Sequence, residues 1–221
     1  MKLSSADRRA QEKERVRTLI LDAARKLFLS VGLDGFSMRK LGDMIGYTPT
    51  GIYFHYADKE TLLQALMDED CQALRLSVQK SLAEADPVRR LMLIGWGYVQ
   101  FALAHPQHYR LLMMTPGHTR SAELTKIERG NPNEDGYAFL RAAVDYALAA
   151  DVFRPEYHDH ELISQMLWAT VHGISSAYIA KGQDQWIDWR PVEETARHMI
   201  KSMLRGMLRD PARITHEEAL P

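Results

Sequence analysis

The clearest structural signal in the chain is LDGFSMRKLGDMIGYTPTGIYFHYADKETLL, residues 33–63. Ser37 is typical of a helix N-cap and precedes apolar residues at helical spacing, which predicts a short helix that ends at a glycine turn. Thr48 and Pro49 form a second start signal, and the helix that they begin is predicted to reach Tyr56. Two short helices joined by a tight turn make a helix-turn-helix, whose second helix can enter the major groove of DNA.

Helical periodicity continues on both sides of this stretch. Upstream, the apolar residues from Val16 to Val31 form one stripe that predicts an amphipathic helix, which Gly32 and Gly35 end. Downstream, Asp58 can cap a longer fourth helix, and several later prolines precede further apolar-rich periodic stretches. Strand signals are nearly absent. The chain is therefore predicted to be all-α, with an N-terminal three-helix helix-turn-helix domain followed by a larger helical bundle, about nine helices in total.

Composition is ordinary for a globular protein, with 221 residues, 46% hydrophobic and 26% charged, which excludes a disordered or low-complexity chain. Residues 1–60 carry eleven Lys and Arg against eight Asp and Glu, a weak excess of positive charge. Cys71 is the single cysteine, so an internal disulfide is excluded. The uncharged stretches Leu91–Tyr109 and Leu162–Ala180 contain polar side chains and are interpreted as buried helices of a soluble bundle, not membrane spans.

Residues 19–66 closely resemble the N-terminal domain of TetR-family transcriptional regulators. The matching features are Gly35-Phe36-Ser37, Gly46 in the turn, Gly51-Ile52-Tyr53-Phe54-His55-Tyr56, Asp58-Lys59-Glu60 and Leu62-Leu63. The sequence departs from the family at Gly42, where alanine is usual, at Tyr56, where phenylalanine is more frequent, and at Pro49 near the start of the recognition helix.

The resemblance implies a set of DNA contacts. The start of the third helix is expected to touch base edges, the second helix to reach a guanine or a phosphate, and the remaining members to hold phosphates. These candidates are Thr48, Pro49, Thr50 and Gly51; Met38 and Arg39; and Ser37, Tyr53, His55 and Lys59. Tyr56 is assigned to the core. Arg8, Arg9, Lys13, Arg15 and Arg17 form either an arm for the neighbouring DNA backbone or a solvated helix face.

The C-terminal part resembles, more loosely, a sensor domain named for its Trp-His-Gly pattern, which implies an effector pocket. The candidate pocket residues are Trp96, Phe101, Tyr109, Met113, Phe139, Trp168 and His172, each of which can equally be core packing. The resemblance also implies a homodimer paired through the last two helices. The candidate interface residues are Gly173, Ala177, Met199, Ile200, Met203, Leu204 and Met207.

The resulting prediction is a cytoplasmic, ligand-responsive regulator, most often a repressor in this family, that binds a palindromic double-stranded DNA operator as a homodimer. A small, apolar effector is expected to release it. Residues 1–60 are predicted to bind DNA and residues 61–221 to bind effector and form the dimer, with a helix from about residue 58 linking them. No cofactor and no membrane partner are predicted.

Three other functions compete with this prediction. An enzyme is disfavoured because the sequence lacks the glycine-rich phosphate motifs, the nucleophile elbow and the Glu-x-x-His pattern. A metal-responsive regulator is an alternative, since His105 and His108, and His158 and His160, are closely spaced and imidazole binds first-row metals. An effector-independent DNA-binding regulator, or an activator, also stays open.

Overall fold

The computed structural model describes residues 4–115, 121, 123–215 and 220. Within these residues the fold is all-α, as predicted, with nine α-helices, two short 3-10 helices and an isolated backbone bridge between Phe153 and Leu208. The α-helices are α1 Ser5–Gly35, α2 Met38–Ile45, α3 Pro49–Tyr53, α4 Lys59–Val78, α5 Pro87–Ala104, α6 Pro106–Met114, α7 Gly136–Ala149, α8 His160–Lys181 and α9 Val192–Met207. The 3-10 helices are Gln79–Ala83 and Pro211–Arg213.

The chain forms two compact units, one of Met1–Asp70 with Gln107–Lys126 and one of Cys71–Pro106 with Ile127–Pro221. In the first unit α2 packs on both α1 and α3. Its core contains Ile20, Leu41, Ile52, Leu62 and Leu66, all fully buried. The predicted stripe of α1 supplies much of this core, and the helical backbone is interrupted at Gly32, whose φ is 68°. This core fixes how α2 and α3 are presented.

A buried charge network also belongs to the first unit. The guanidinium of Arg25 contacts Asp22 at 3.0 Å, Glu69 at 2.8 Å and Asp70 at 2.7 Å. Arg25 is 3% exposed and Asp70 is fully buried, so each charge depends on the other for compensation. The network joins α1 to the part of α4 that lies in the same unit.

In the second unit α5 is central and packs against α7, α8 and α9. Fully buried side chains of this bundle include Met92, Val99, Val144 and Ile163. The uncharged Leu91–Tyr109 stretch is divided at His105, where α5 ends. No helix in the described part of the chain has the length and hydropathy needed to cross a membrane.

Three of the predicted N-caps form in the structure. Ser37, Thr48 and Asp86 accept N-cap hydrogen bonds at the starts of α2, α3 and α5. The third helix, however, ends at Tyr53 and not at Tyr56. Beyond Tyr53 the backbone turns, with the N–H of His55 donating to the carbonyl of Ile52, three residues earlier.

Candidate nucleic-acid interface

The turn between α2 and α3 is built from glycine geometry. Gly46 has a φ of 71°, in the left-handed region that favours glycine, and its N–H donates to the carbonyl of Gly42. The chain then passes so close to α2 that a Cβ on Gly42 would lie 2.5 Å from the carbonyl oxygen of Tyr47. A side chain at position 42 would therefore clash with the backbone of the turn, and glycine avoids this clash.

The start of α3 is exposed and capped. The Thr48 hydroxyl accepts the N–H of Gly51 at 3.1 Å, and Pro49 occupies the first turn, where it forfeits no helical hydrogen bond. Thr48, Pro49 and Thr50 are exposed, while Ile52 is fully buried and anchors the helix in the core. The structure thus brings three of the four predicted base-contacting residues together on a surface, and the fourth, Gly51, is half-buried.

The candidates on α2 divide between surface and core. Ser37 caps the helix, accepting the N–H of Lys40 at 3.2 Å, and Arg39 is exposed. Met38 is only 6% exposed and belongs to the core of the first unit. The inclusion of its side chain among the DNA contacts was wrong, because the apolar face of α2 carries Met38 inward with Leu41.

The three remaining candidates have different surroundings. The Tyr53 side chain is 49% exposed, as a phosphate contact requires. The ammonium of Lys59 donates to the carbonyl of Leu33 near the end of α1 and lies 5.7 Å from the Phe36 ring centroid. Lys59 therefore has a structural partner, and its phosphate contact stays a prediction.

His55 is half-buried, and its Nδ1 atom is buried without a hydrogen-bond partner in the described part of the chain. Burial lowers the pKa of His55 below its usual value, and the positive charges of Arg17 and Lys13 lower it further. Arg17 and Lys13, two of the five residues of the proposed basic arm, thus disfavour the charged form of His55, which is a predicted phosphate contact. Arg17 also lies over the ring of Tyr56, at 4.8 Å, and Tyr56 is buried as predicted.

Phe54 was missed as a candidate. Its side chain is 78% exposed, although it lies between Tyr53 and His55. An apolar ring at the surface beside α3 can contact thymine methyl groups. The sequence did contain a signal for this. If Ile52 and Tyr56 both face the core, Phe54, midway between them, faces outward.

The candidate dimer residues also fall into an exposed group and a buried group. Gly173 and Ala177 of α8 are exposed, Met199 of α9 is 37% exposed and Met203 is half-buried. The other three candidates are buried inside their own protomer, namely Ile200, Leu204 and Met207. Their assignment to a dimer surface was wrong. They face inward because α9 packs against α5 and α8 and uses its strongest apolar face for that core.

The candidate pocket residues are distributed over both units. Tyr109 and Met113 belong to the first, and the other five to the second. In the second unit Trp96, Phe101 and Phe139 are buried. Trp168 is exposed on α8, and its indole N–H donates to the Tyr98 hydroxyl at 3.2 Å, which lies 3.5 Å from Nδ1 of His172. Burial lowers the pKa of His172, which favours the neutral ring.

One histidine of each closely spaced pair has a carboxylate neighbour. Nδ1 of His108 lies 2.8 Å from an oxygen of Asp70, and Nδ1 of His160 lies 2.8 Å from an oxygen of Asp145. Among the residues that the structure describes, no three His, Cys, Asp or Glu side chains are grouped as metal ligands.

Comparison with known proteins gives two family matches. Residues 20–66 match the bacterial regulatory proteins of the tetR family, and residues 91–203, just over half of the chain, match the tetracyclin repressor-like C-terminal domain. Neither description refers to the Trp-His-Gly sensor type, so that part of the resemblance stays a prediction.

Among individual relatives, the HTH-type transcriptional repressor AcnR of Corynebacterium diphtheriae is 32% identical over 52% of this chain and 50% of its own length. The chain spans half or less of the length of the curated relatives that it matches. A TetR family transcription regulator from Marinobacter aquaeolei VT8 superposes with a TM-score of 0.69 at 17% identity, over 91% of this chain and 98% of that one. A putative tetR family transcription regulator from Shewanella sp. PV-4 gives 0.68 at 17% identity, over 88% and 98%. At such identities the two structures support the fold alone.

Proposed function

The chain belongs to the TetR family of bacterial regulatory proteins, and from that premise we propose that it is a homodimeric, ligand-responsive transcriptional repressor. The observation that carries the proposal is the exposed start of α3, where Thr48, Pro49 and Thr50 stand on a helix anchored by the buried Ile52. A short helix of this kind is what a helix-turn-helix protein places in the major groove. On this proposal the protein acts without catalysis, in the cytoplasm beside the DNA.

Residues 1–60 are proposed to bind the operator and residues 61–221 to contain the effector site and the dimer surface. One α3 helix covers only a few base pairs, so two-fold pairing is needed to extend the site, and the operator becomes a palindrome. The exposed residues Gly173, Ala177 and Met199 of α8 and α9 are the proposed dimer surface.

Release by effector follows from linkage. Adjacent half-sites are about 34–36 Å apart, so both α3 helices of a dimer bind only when their spacing fits. An effector that prefers a different arrangement weakens operator binding by its differential affinity, typically about 1–3 kcal/mol. The helix α4 is the proposed connection, since it begins at Lys59 beside the helix-turn-helix and continues to Val78.

The test uses the full-length protein and duplexes that tile the DNA beside its own gene. Fluorescence anisotropy is expected to find one palindromic duplex bound far more tightly than the others. Tyr53→Ala is expected to weaken this binding at least tenfold, because it removes a phosphate contact. Tyr146→Ala, at a tyrosine of similar exposure in the second unit, is the matched control and is expected to have no effect. Equal binding of all duplexes, or no loss with Tyr53→Ala, would contradict the proposal.

A further inference from the structure

Arg75 is a buried cation in the last turn of α4, within the second unit. Its side chain is almost wholly enclosed, since the residue is only 4% exposed. Nε donates to the carbonyl oxygen of Pro132 at 2.9 Å, and the guanidinium lies over the Phe139 ring, 4.5 Å from its centroid. Nη1 is buried and has no hydrogen-bond partner among the described residues.

The contrast with Arg25 shows what Arg75 lacks. Arg25 is buried to the same degree, and three carboxylates lie within 3.0 Å of its guanidinium. In the described part of the chain no carboxylate forms an ion pair with Arg75. Burial lowers the pKa of Arg75, but a guanidinium keeps its proton at any physiological pH. Arg75 therefore carries a full positive charge out of water, and no described residue supplies its counter-ion.

The contacts of Arg75 offset only part of the free energy that is needed to remove its charge from water. A cation near a helix C-terminus interacts favourably with the carbonyl groups there, and an aromatic face attracts a cation. Both effects are weaker than an ion pair, and neither supplies an acceptor for Nη1. Buried charges in proteins are normally paired or bind a ligand of opposite charge.

We propose that Arg75 is the counter-ion of the effector, and that the effector is a small amphipathic oxyanion, a carboxylate or a phosphate on an apolar body. A guanidinium presents two parallel N–H donors that match such groups, and the Phe139 ring beside it suits the apolar part. The inference rests on the proposed function and changes the expected effector from an apolar molecule to an amphipathic anion. Because Arg75 belongs to α4, an anion bound there acts on the helix that begins next to the DNA-binding residues.

The experiment compares sodium octanoate, octyl phosphate and 1-octanol as probes of the full-length dimer. Thermal unfolding and calorimetry are expected to show that one or both anions stabilise the protein and bind at least tenfold more tightly than octanol. Octanoate and octyl phosphate distinguish the carboxylate from the phosphate form of the ligand. The bound anion is also expected to weaken operator binding.

Arg75→Met is expected to abolish the preference for the anions and leave octanol binding unchanged, whereas Arg129→Met, at an exposed arginine of the same unit, is expected to change nothing. If Arg75→Met fails to fold, Arg75→Lys, which keeps the charge but loses the paired donors, is expected to weaken anion binding several-fold. The inference is overturned if no anion binds, if octanol binds as well as octanoate, or if the position 75 variants bind anions like the wild type. Operator binding without any probe tests the proposed function separately.

Discussion

His55 shows how one side chain can link DNA binding to pH. Burial, together with Arg17 and Lys13, lowers its pKa in the free protein below the ordinary 6.5, so the ring is neutral at pH 7. A DNA phosphate beside the ring reverses this, because its negative charge favours the imidazolium and raises the pKa. The complex then binds more protons than the free protein, and the operator affinity must rise as the pH falls.

The expected result is a gain in affinity of up to about tenfold per pH unit as the pH falls from the raised pKa of His55 in the complex towards its lowered pKa in the free protein, the slope for uptake of one proton. His55→Gln keeps a hydrogen-bonding side chain but cannot take up a proton, so its affinity is expected to be nearly flat over the same range. His158→Gln, at an exposed histidine of the second unit, is the control and is expected to keep the wild-type slope. Anisotropy titrations at constant ionic strength measure all three. A wild-type slope in His55→Gln would remove His55 from the interface.

Helix identity is well predicted by the sequence at the level of the element, since caps and periodicity are local properties. Ser37 and Thr48 cap α2 and α3 as expected, and the glycine turn between them forms as expected. The end of α3 at Tyr53 was not predicted, because Tyr56 reaches the core through a turn that keeps it on the buried side.

The orientation of α9 was harder to predict for a different reason. Periodicity identifies its apolar face, but it does not say whether that face covers the same protomer or a second one. The structure uses Ile200 and Leu204 for the protomer's own core, which leaves Met199 outside. The sequence also could not predict that Arg75 has no counter-ion among the described residues, because this depends on which residues surround the end of α4.

The α2–α3 turn depends on the left-handed backbone of Gly46. Gly46 has a φ of 71° and open space where a Cβ would be, so Gly46→Ala meets backbone strain and no steric clash. A non-glycine residue in the left-handed region costs about 1–2 kcal/mol, partly offset by the lower entropy of the unfolded chain. We therefore expect about 1 kcal/mol of destabilisation in urea denaturation, with weaker operator binding because the turn sets the angle of α3.

Gly136→Ala is the matched control for this change. Gly136 also has open space where a Cβ would lie, but it belongs to the first turn of α7 and has no positive φ. Alanine is a better helix former than glycine, so this variant is expected to be neutral or slightly stabilised. A similar loss of stability in both variants would show that the left-handed backbone of Gly46 is not the cause.

The whole molecule is proposed to be a dimer, and its exposed surface on α8 and α9 suits close helix packing. Gly173 and Ala177 on α8 and Gly206 on α9 are exposed and small, so that helices of a second protomer can approach closely. Met199, also on α9, offers a flexible apolar side chain. Surfaces of this kind are stabilised by removal from water, and a charge placed within them opposes association.

Met199→Asp tests the dimer and its role in DNA binding together. A carboxylate buried in the interface loses its hydration without gaining a counter-ion, so sedimentation velocity at micromolar concentration is expected to show monomers where the wild type shows dimers. A monomer binds one half-site and loses the effective concentration of the second, which amounts to about 10²–10⁴-fold in operator affinity. Circular dichroism should stay unchanged, because Met199 lies outside the protomer core.

Leu82→Asp, at another exposed apolar residue of the second unit, should remain dimeric and bind normally. A dimeric Met199→Asp would place the pairing surface elsewhere on the protein, whereas a monomer with full operator affinity would show that one α3 helix suffices for recognition.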